Sequence, residues 1–190
     1  MLLNLYQVGE KVLRQKARSL TPKEIVSSQI QDLIGSMHET LRDAPGVGLA
    51  APQVGVPVQL AIIEDLPEYW REIPESELKA RERQPVPFHV IANPRITRMS
   101  DEKVEFFEGC LSLEGFTAMV PRAREVTVEC LDHRGEPKVI QASGWYARIL
   151  QHEIDHLNGT LYIDHMDSRT FMSLENYKRY WKDKNAEKRF

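Results

Sequence analysis

The feature that most restricts how this chain folds is one stretch, Gln151-His152-Glu153-Ile154-Asp155-His156-Leu157-Asn158-Gly159. As a helix it sets His152 and His156 one turn apart on one face, so that both rings converge on a single ion. Glu153 follows the first of them, where a carboxylate reaches water held beside that ion. Ser143 is the expected cap at the start, Gly144 follows it, and Gly159 stands where a left-handed stop belongs. Between these ends run two apolar stripes on opposite sides. Ala147, Leu150, Ile154 and Leu157 form one; Trp145, Ile149, His152 and His156 form the other. A helix apolar on two sides passes through a core instead of lying on it, so other elements must wrap around it. Two imidazoles and a carboxylate inside a core need partners, since burying even a neutral polar group unpaired costs roughly 2–7 kcal/mol. Neighbouring protein groups meet that need in an ordinary core, but the acid beside the imidazoles favours a divalent cation.

The rest of the chain supplies what wraps this helix. Thr21-Pro22-Lys23-Glu24 is a capping-box pattern with proline at the first helical position. Ser28-Gln29-Ile30-Gln31 repeats the signal, and Ile30, Leu33, Ile34, Met37 and Leu41 then keep the spacing of an amphipathic helix, ended by Asp43-Ala44-Pro45-Gly46. The stretch from Gly46 to Gly55 is dense in small residues, which let backbone approach a ligand closely. It lacks the lysine and hydroxyl of a phosphate loop and the third glycine of a dinucleotide fingerprint. On its own it reads as a turn between helix and strand, with Gln53 the one side chain able to donate a directed hydrogen bond.

Val58 to Ile63 predicts a strand. Residues 67–87 change character: Pro67, Pro74, Pro85 and Pro87 interrupt a mixture of acids and bases, which predicts an edge insertion with a short solvated helix at Glu75 to Arg83. Phe88 to Ala92 resumes a strand, stopped by Asn93-Pro94. Val126, Val128 and Cys130 alternate with Thr127, Glu129 and Leu131, a half-buried strand. Asp132-His133-Arg134-Gly135 then turns the chain to a partner at Lys138–Ala142. The expected architecture is α+β, with mainly antiparallel strands packed around a buried central helix that carries the metal motif. We expect a single catalytic domain over 1–190, with 67–87 as an edge insertion and 173–190 as a C-terminal helix or tail.

Charge and cysteine content exclude several classes. A net charge of -3 leaves no electrostatic footprint for nucleic acid. Two cysteines make no disulfide framework, so a reducing compartment is expected. No apolar run reaches the ~18 residues that a membrane span needs. Met1-Leu2-Leu3-Asn4-Leu5, followed by Gln7, Glu10 and Lys11, is not the pattern of a signal peptide. A soluble intracellular protein is the expectation.

Paired histidines one turn apart give two ligands, while a catalytic metal site wants three and an open position. The place of a downstream third histidine in one protease class is taken by Tyr162. Glu175, the downstream acid another class would use, has no site-like surroundings. Cys110, in Phe107-Glu108-Gly109-Cys110-Leu111-Ser112, is the better candidate, although an intracellular cysteine beside glycine is most often a small buried hydrophobe.

Three segments taken together, Gly46-Val47-Gly48-Leu49-Ala50-Ala51-Pro52-Gln53, Glu108-Gly109-Cys110-Leu111-Ser112 and Gln151-His152-Glu153-Ile154-Asp155-His156-Leu157, resemble the three motifs of the peptide deformylases in order and separation. The likeness runs from Val8 to Phe171. It implies metal-dependent hydrolysis of the N-formyl group from the N-terminal formyl-methionine of nascent proteins, with release of formate. It also implies that Cys110, His152 and His156 hold one divalent ion, that Glu153 moves the proton, and that the Gln53 amide and the Leu111 N–H donate to the oxyanion. Gly48, Gly109 and neighbouring backbone would take the peptide, and Val47, Ile149 and His152 would wall a methionine-sized pocket. The metal implied is ferrous iron, Fe(II), which would make the protein oxygen-sensitive; the same donors suit zinc, nickel or cobalt.

The partners implied are N-formylmethionyl peptides of nascent chains, with no specific nucleic acid and no membrane. A transient ribosome contact is an expectation for the basic tail, whose Tyr177, Tyr180 and Trp181 fall at helical spacing. Leu113-Glu114-Gly115-Phe116, Thr117, Arg148 and Ser143-Gly144-Trp145 depart from the commonest bacterial pattern and look like the branch shared by organellar and some bacterial members. A bacterial cytoplasmic location is favoured, with a processed organellar form as the alternative. Arg122 is expected either to brace the site through Glu108 or Asp155 or to lie on the surface. His38, His89, His133 and His165 are read as structural or exposed. A peptide hydrolase and a non-catalytic reader of nascent N-termini are the competing functions; the missing downstream ligand argues against the first, and an intact Glu153, Gln53 and Cys110 against the second.

Overall fold

A computed structural model of the chain describes residues 1–182. Its helices are α1 (Pro22–Ile25), α2 (Ser28–Asp43), α3 (Glu75–Ala80), α4 (Gly144–Leu157) and α5 (Leu174–Tyr180). Its strands are β1 (Gly48–Ala50), β2 (Leu60–Asp65), β3 (Val86–Met99), β4 (Lys103–Glu108), β5 (Phe116–Ala123), β6 (Glu125–Leu131), β7 (Pro137–Ser143) and β8 (Met172–Ser173). They form a five-stranded sheet in the order β1-β2-β3-β6-β7 and a three-stranded sheet in the order β4-β5-β8. Neighbours within each sheet are antiparallel. The fold is α+β, as expected, with α4 at its centre.

The period of two along a strand explains how the larger sheet serves two cores. Ala61 and Ile63 of β2 point with Ile91, Val126, Val128 and Cys130 towards Leu150, Ile154 and Leu157 of α4. Leu60 and Ile62 point the other way, with Val90 and Ala92, onto Ile34, Met37 and Leu41 of α2. Each fully buried side chain of this kind contributes about 1.5–3 kcal/mol relative to exposure. A third cluster, Leu13, Leu113, Ala118, Val120, Leu161 and Tyr162, fills the space beneath the β4–β5 hairpin.

The expected caps are met at two positions and missed at two. Thr21 and Glu24 close a capping box at α1. Gly159 has φ +75°, and the N–H groups of Gly159 and Thr160 donate to the carbonyls of His156 (3.2 Å) and Asp155 (2.9 Å), a Schellman stop for α4. Ser27, not Ser28, caps α2, one residue early. Ser143 makes no side-chain cap; the chain instead enters α4 through Gly144 at φ +59°, whose N–H donates to the Arg124 carbonyl.

Asn93-Pro94 does not stop a strand. β3 runs on to Met99, because Asn93 adopts φ +49° and the pairing with β6 slips between Ala92 and Arg95. That bulge holds Pro94 where no ladder N–H is needed. Asn93 is fixed there by Leu20, whose N–H donates to Oδ1 (2.8 Å) and whose carbonyl accepts from Nδ2 (2.6 Å). The helix expected within Glu75 to Arg83 ends at Ala80, and the side chains of Arg81 and Arg83 turn inward. Tyr177 and Trp181 pack on Phe107, with ring centres 4.7 and 5.4 Å away; the basic end of the expected tail, 183–190, lies outside the described residues.

Candidate metal centre and cleft

Helical spacing brings the Nε2 atoms of His152 and His156 to 3.3 Å from each other. The β4–β5 hairpin carries Cys110 to them: β4 ends at Glu108, Leu113 N–H closes a turn onto the Cys110 carbonyl at 3.0 Å, and Cys110 Sγ lies 3.2 Å from His156 Nε2. One donor atom from each of the three residues falls within 4.8 Å of the others, and no other such group of ligating side chains occurs among the described residues. Two facing imidazole nitrogens and a sulfur at this separation suit one small divalent cation.

A single buried carboxylate orients the first histidine. Glu108 Oε2 accepts from His152 Nδ1 at 2.9 Å, which leaves Nε2 free to face the cluster. The same carboxylate takes a two-pronged ion pair from Arg122 Nε and Nη2, both 3.0 Å, and a further bond from Arg148 Nη1 at 2.6 Å. Burial alone would raise the Glu108 carboxyl, but the bonds from His152 and Arg122 hold it well below the usual carboxylate range. Arg122 also pairs with Asp155, so it braces the site through both acids and is not a surface residue. Arg148 also donates to the carbonyls of Val120 (2.8 Å) and Val104 (2.6 Å); burial pulls it down to about 10.

Glu153 lies on the other side of the helix face and is 3% exposed, with Oε2 buried and without a protein partner. Burial pushes its carboxyl up to about 7, with His152 opposing and Glu108 reinforcing the shift. Gly48 of β1 makes room for it: a Cβ there would stand 2.3 Å from Glu153 Oε1. Gln53 comes from the short 3-10 turn Ala51–Val54 that follows β1. Its Oε1 accepts from Ala50 N–H at 2.8 Å, which turns Nε2 towards Cys110 Sγ (3.5 Å) and Ser112 Oγ (3.2 Å).

These groups open onto a cleft of about 700 Å³. Val47, Gly48, Gln53, Gly109, Cys110, Leu111, Ile149, His152 and Glu153 all line it, while His156 sits behind them at 1% exposure. Every residue named from the sequence for ligation, proton transfer or binding is therefore brought to one place. Sequence reasoning missed Ser112 as the acceptor for Gln53, Arg148 as a partner of Glu108, and Arg83 and Trp145 as cleft residues. For Arg148 a signal existed, a charge inside a helix buried nearly all round.

The chain matches the family model described as polypeptide deformylase over residues 2–172. It is 46% identical over 173 residues to the chloroplastic peptide deformylase 1A of Solanum lycopersicum, covering 91% of this chain but 62% of that protein, less than two thirds of its length. It is 44% identical over 176 residues to the mitochondrial peptide deformylase of Homo sapiens, covering 92% of this chain and 70% of that one. A Met-Ala-Ser-bound crystal structure of class I type b peptide deformylase from Acinetobacter baumannii aligns with a TM-score of 0.77 at 32% identity, covering 87% of this chain and 99% of the other.

Proposed function

The chain belongs to the polypeptide deformylase family, and from that premise we propose that it hydrolyses the N-formyl group of N-terminal formyl-methionine on nascent proteins, releasing formate. The observation that carries this reading is the convergence of Cys110, His152 and His156 beside a buried Glu153 at the head of a peptide-sized cleft. Cys110, His152 and His156 would hold one divalent ion, which when bound supplies Lewis acidity and lowers the pKa of water.

Glu153 is the proton carrier. Burial pushes its carboxyl up to about 7, and in this reading it takes a proton from the attacking water and returns it to the leaving amine. The Gln53 amide, aimed by Ala50, and the Leu111 N–H donate to the oxygen of the formyl group as charge builds on it. Losing one such donor costs on the order of 100-fold or more in rate. β1 is an edge strand, paired on one side only by β2, so Gly48 and its neighbours offer backbone groups to an extended peptide. Val47 and Ile149 wall the arm that takes the methionine side chain, and Gly109 leaves the approach to Cys110 open.

Iron in the ferrous state is the metal of this reading, with zinc, nickel and cobalt the alternatives the donors accept. Metal analysis of protein purified without air distinguishes them. A chloroplastic and a mitochondrial relative support the organellar location beside the bacterial cytoplasmic one. No helix among the described residues is long and apolar enough to cross a membrane. Transient contact with the ribosome through the basic tail belongs to the same reading.

The test is formate release from formyl-Met-Ala-Ser by wild type and Glu153→Ala. Wild type is expected to turn over, and the variant to keep its metal and lose roughly 100-fold or more in rate. Equal rates would remove Glu153 from this role. Cys110→Ser is expected to lose metal; full stoichiometry at unchanged affinity would point to another third ligand.

A further inference from the structure

Residues 67–83 return to the cleft at Arg83, which lines it, after the turn Arg81-Glu82. Arg83 is held from behind by Asp65, which is fully buried and accepts from Arg83 Nε and Nη2, both at 2.8 Å, and from Trp70 Nε1 at 2.6 Å. Arg81 places its guanidinium carbon 4.5 Å from the centre of the Trp145 indole, and Arg83 lies 5.4 Å from the same indole. Between them Glu82 adopts φ +48°, a left-handed conformation unusual for this residue, and Arg124 Nε holds its carboxylate at 2.7 Å. The turn rests on the first residue of α4, Gly144, where a Cβ would come within 2.5 Å of Glu82 Cβ. Trp145 follows at once. It lies one turn before Ile149 and two before His152 on the same helix face, and it lines the cleft together with Val47, Glu108, Arg148, Ile149 and Arg83.

We propose that Arg81 and Arg83 hold the Trp145 indole as the end wall of the apolar arm of the cleft, so that the 67–83 segment sets which first side chain of a formylated peptide is accepted. This rests on the deformylase reading of the same site. A cation against the face of an indole is attracted by the ring, and a guanidinium gripped by a buried carboxylate through two bonds has little freedom to move. The wall is stiff for that reason. Hydrophobic pockets discriminate one methylene by only about 10–200-fold, so rejecting a side chain larger than methionine depends on a wall that does not yield.

The experiment compares kcat/KM for formyl-Met-Ala-Ser and formyl-Phe-Ala-Ser in wild type, Trp145→Phe, Arg81→Met and the double variant Asp65→Asn/Arg83→Met, which removes both buried charges together. The ratio of the phenylalanine to the methionine substrate is expected to rise about 10-fold or more in each, with metal content unchanged. A general loss of stability would lower both substrates alike and leave the ratio where it was. Ratios within about twofold of wild type in folded variants overturn the proposal. If the double variant does not fold, Arg81→Met decides, since its ion-pair partner Glu77 is partly exposed and tolerates the loss. Calorimetric affinities for the products Met-Ala-Ser and Phe-Ala-Ser read the same wall without turnover. Variants that shift this preference in a chain releasing no formate would sink the deformylase reading and leave the wall in place.

Discussion

At Gly48 the space left by an absent side chain decides where Glu153 stands. A Cβ would lie 2.3 Å from Glu153 Oε1, 2.7 Å from Cδ and 2.9 Å from Cγ, so either the carboxylate or the strand must shift. If the deformylase reading holds, Gly48→Ala is therefore expected to leave metal content unchanged and lose about 100-fold in kcat for formate release, as a shift of about 1 Å in a proton carrier can cost. A variant with wild-type kcat would show that the carboxylate works equally well when displaced. At this scale the sequence was informative where chemistry forces residue type. The imidazole pair, the acid beside it and the thiol were all legible. The clearance at Gly48 was legible only as a small residue, because what it makes room for lies 105 positions along the chain.

α4 shows what a single element reveals and conceals. Its left-handed stop at Gly159 was readable from local spacing, and the structure adds a second reason for glycine there: a Cβ would meet the carbonyl carbon and oxygen of Arg14 at 2.8 Å. Gly159→Ala combines a positive φ with that clash and is expected to destabilise by about 1–3 kcal/mol. At about 2–4 °C per kcal/mol for a chain of this size, the melting temperature should fall by several degrees, and calorimetry checks it. An unchanged melting temperature would mean that the turn relaxes freely. The amphipathic α2 was equally legible, its period being local. Asn93-Pro94 misled because its resolution is distant: Leu20, paired through both polar atoms of Asn93, converts an apparent break into a bulge. The hairpin of β4 and β5 was hidden for a like reason. The pairing of Arg122 with Glu108 was among the expectations, whereas the approach of Arg148 to the same carboxylate shows only once hairpin and helix are together.

Across the whole molecule, Glu64 ties β2 to two other regions, α2 and the turn at Pro67–Trp70. It accepts from Arg42 of α2 (3.0 Å to each oxygen), from Tyr69 at 2.9 Å, and contacts His38 at 3.2 Å. Burial alone would raise this carboxyl, yet bonds from Arg42, Tyr69 and His38 hold it below its ordinary value. A depressed folded value means that the stability it contributes is present above the unfolded value of about 4.3 and is lost as pH falls through the folded one. The difference in urea midpoint between wild type and Glu64→Gln should thus be widest at neutral pH and close below about pH 4. A gap constant from neutral to acid conditions would assign the effect to packing alone. Glu108 has a different reach. Its one carboxylate is shared by the imidazole on α4 and by guanidiniums from β5 and α4, while it hangs from β4 itself. The His152 ring is consequently aimed only where hairpin and helix are docked together. On the reading proposed above, ion binding at Cys110, His152 and His156 would thus be coupled to the docking of hairpin and helix.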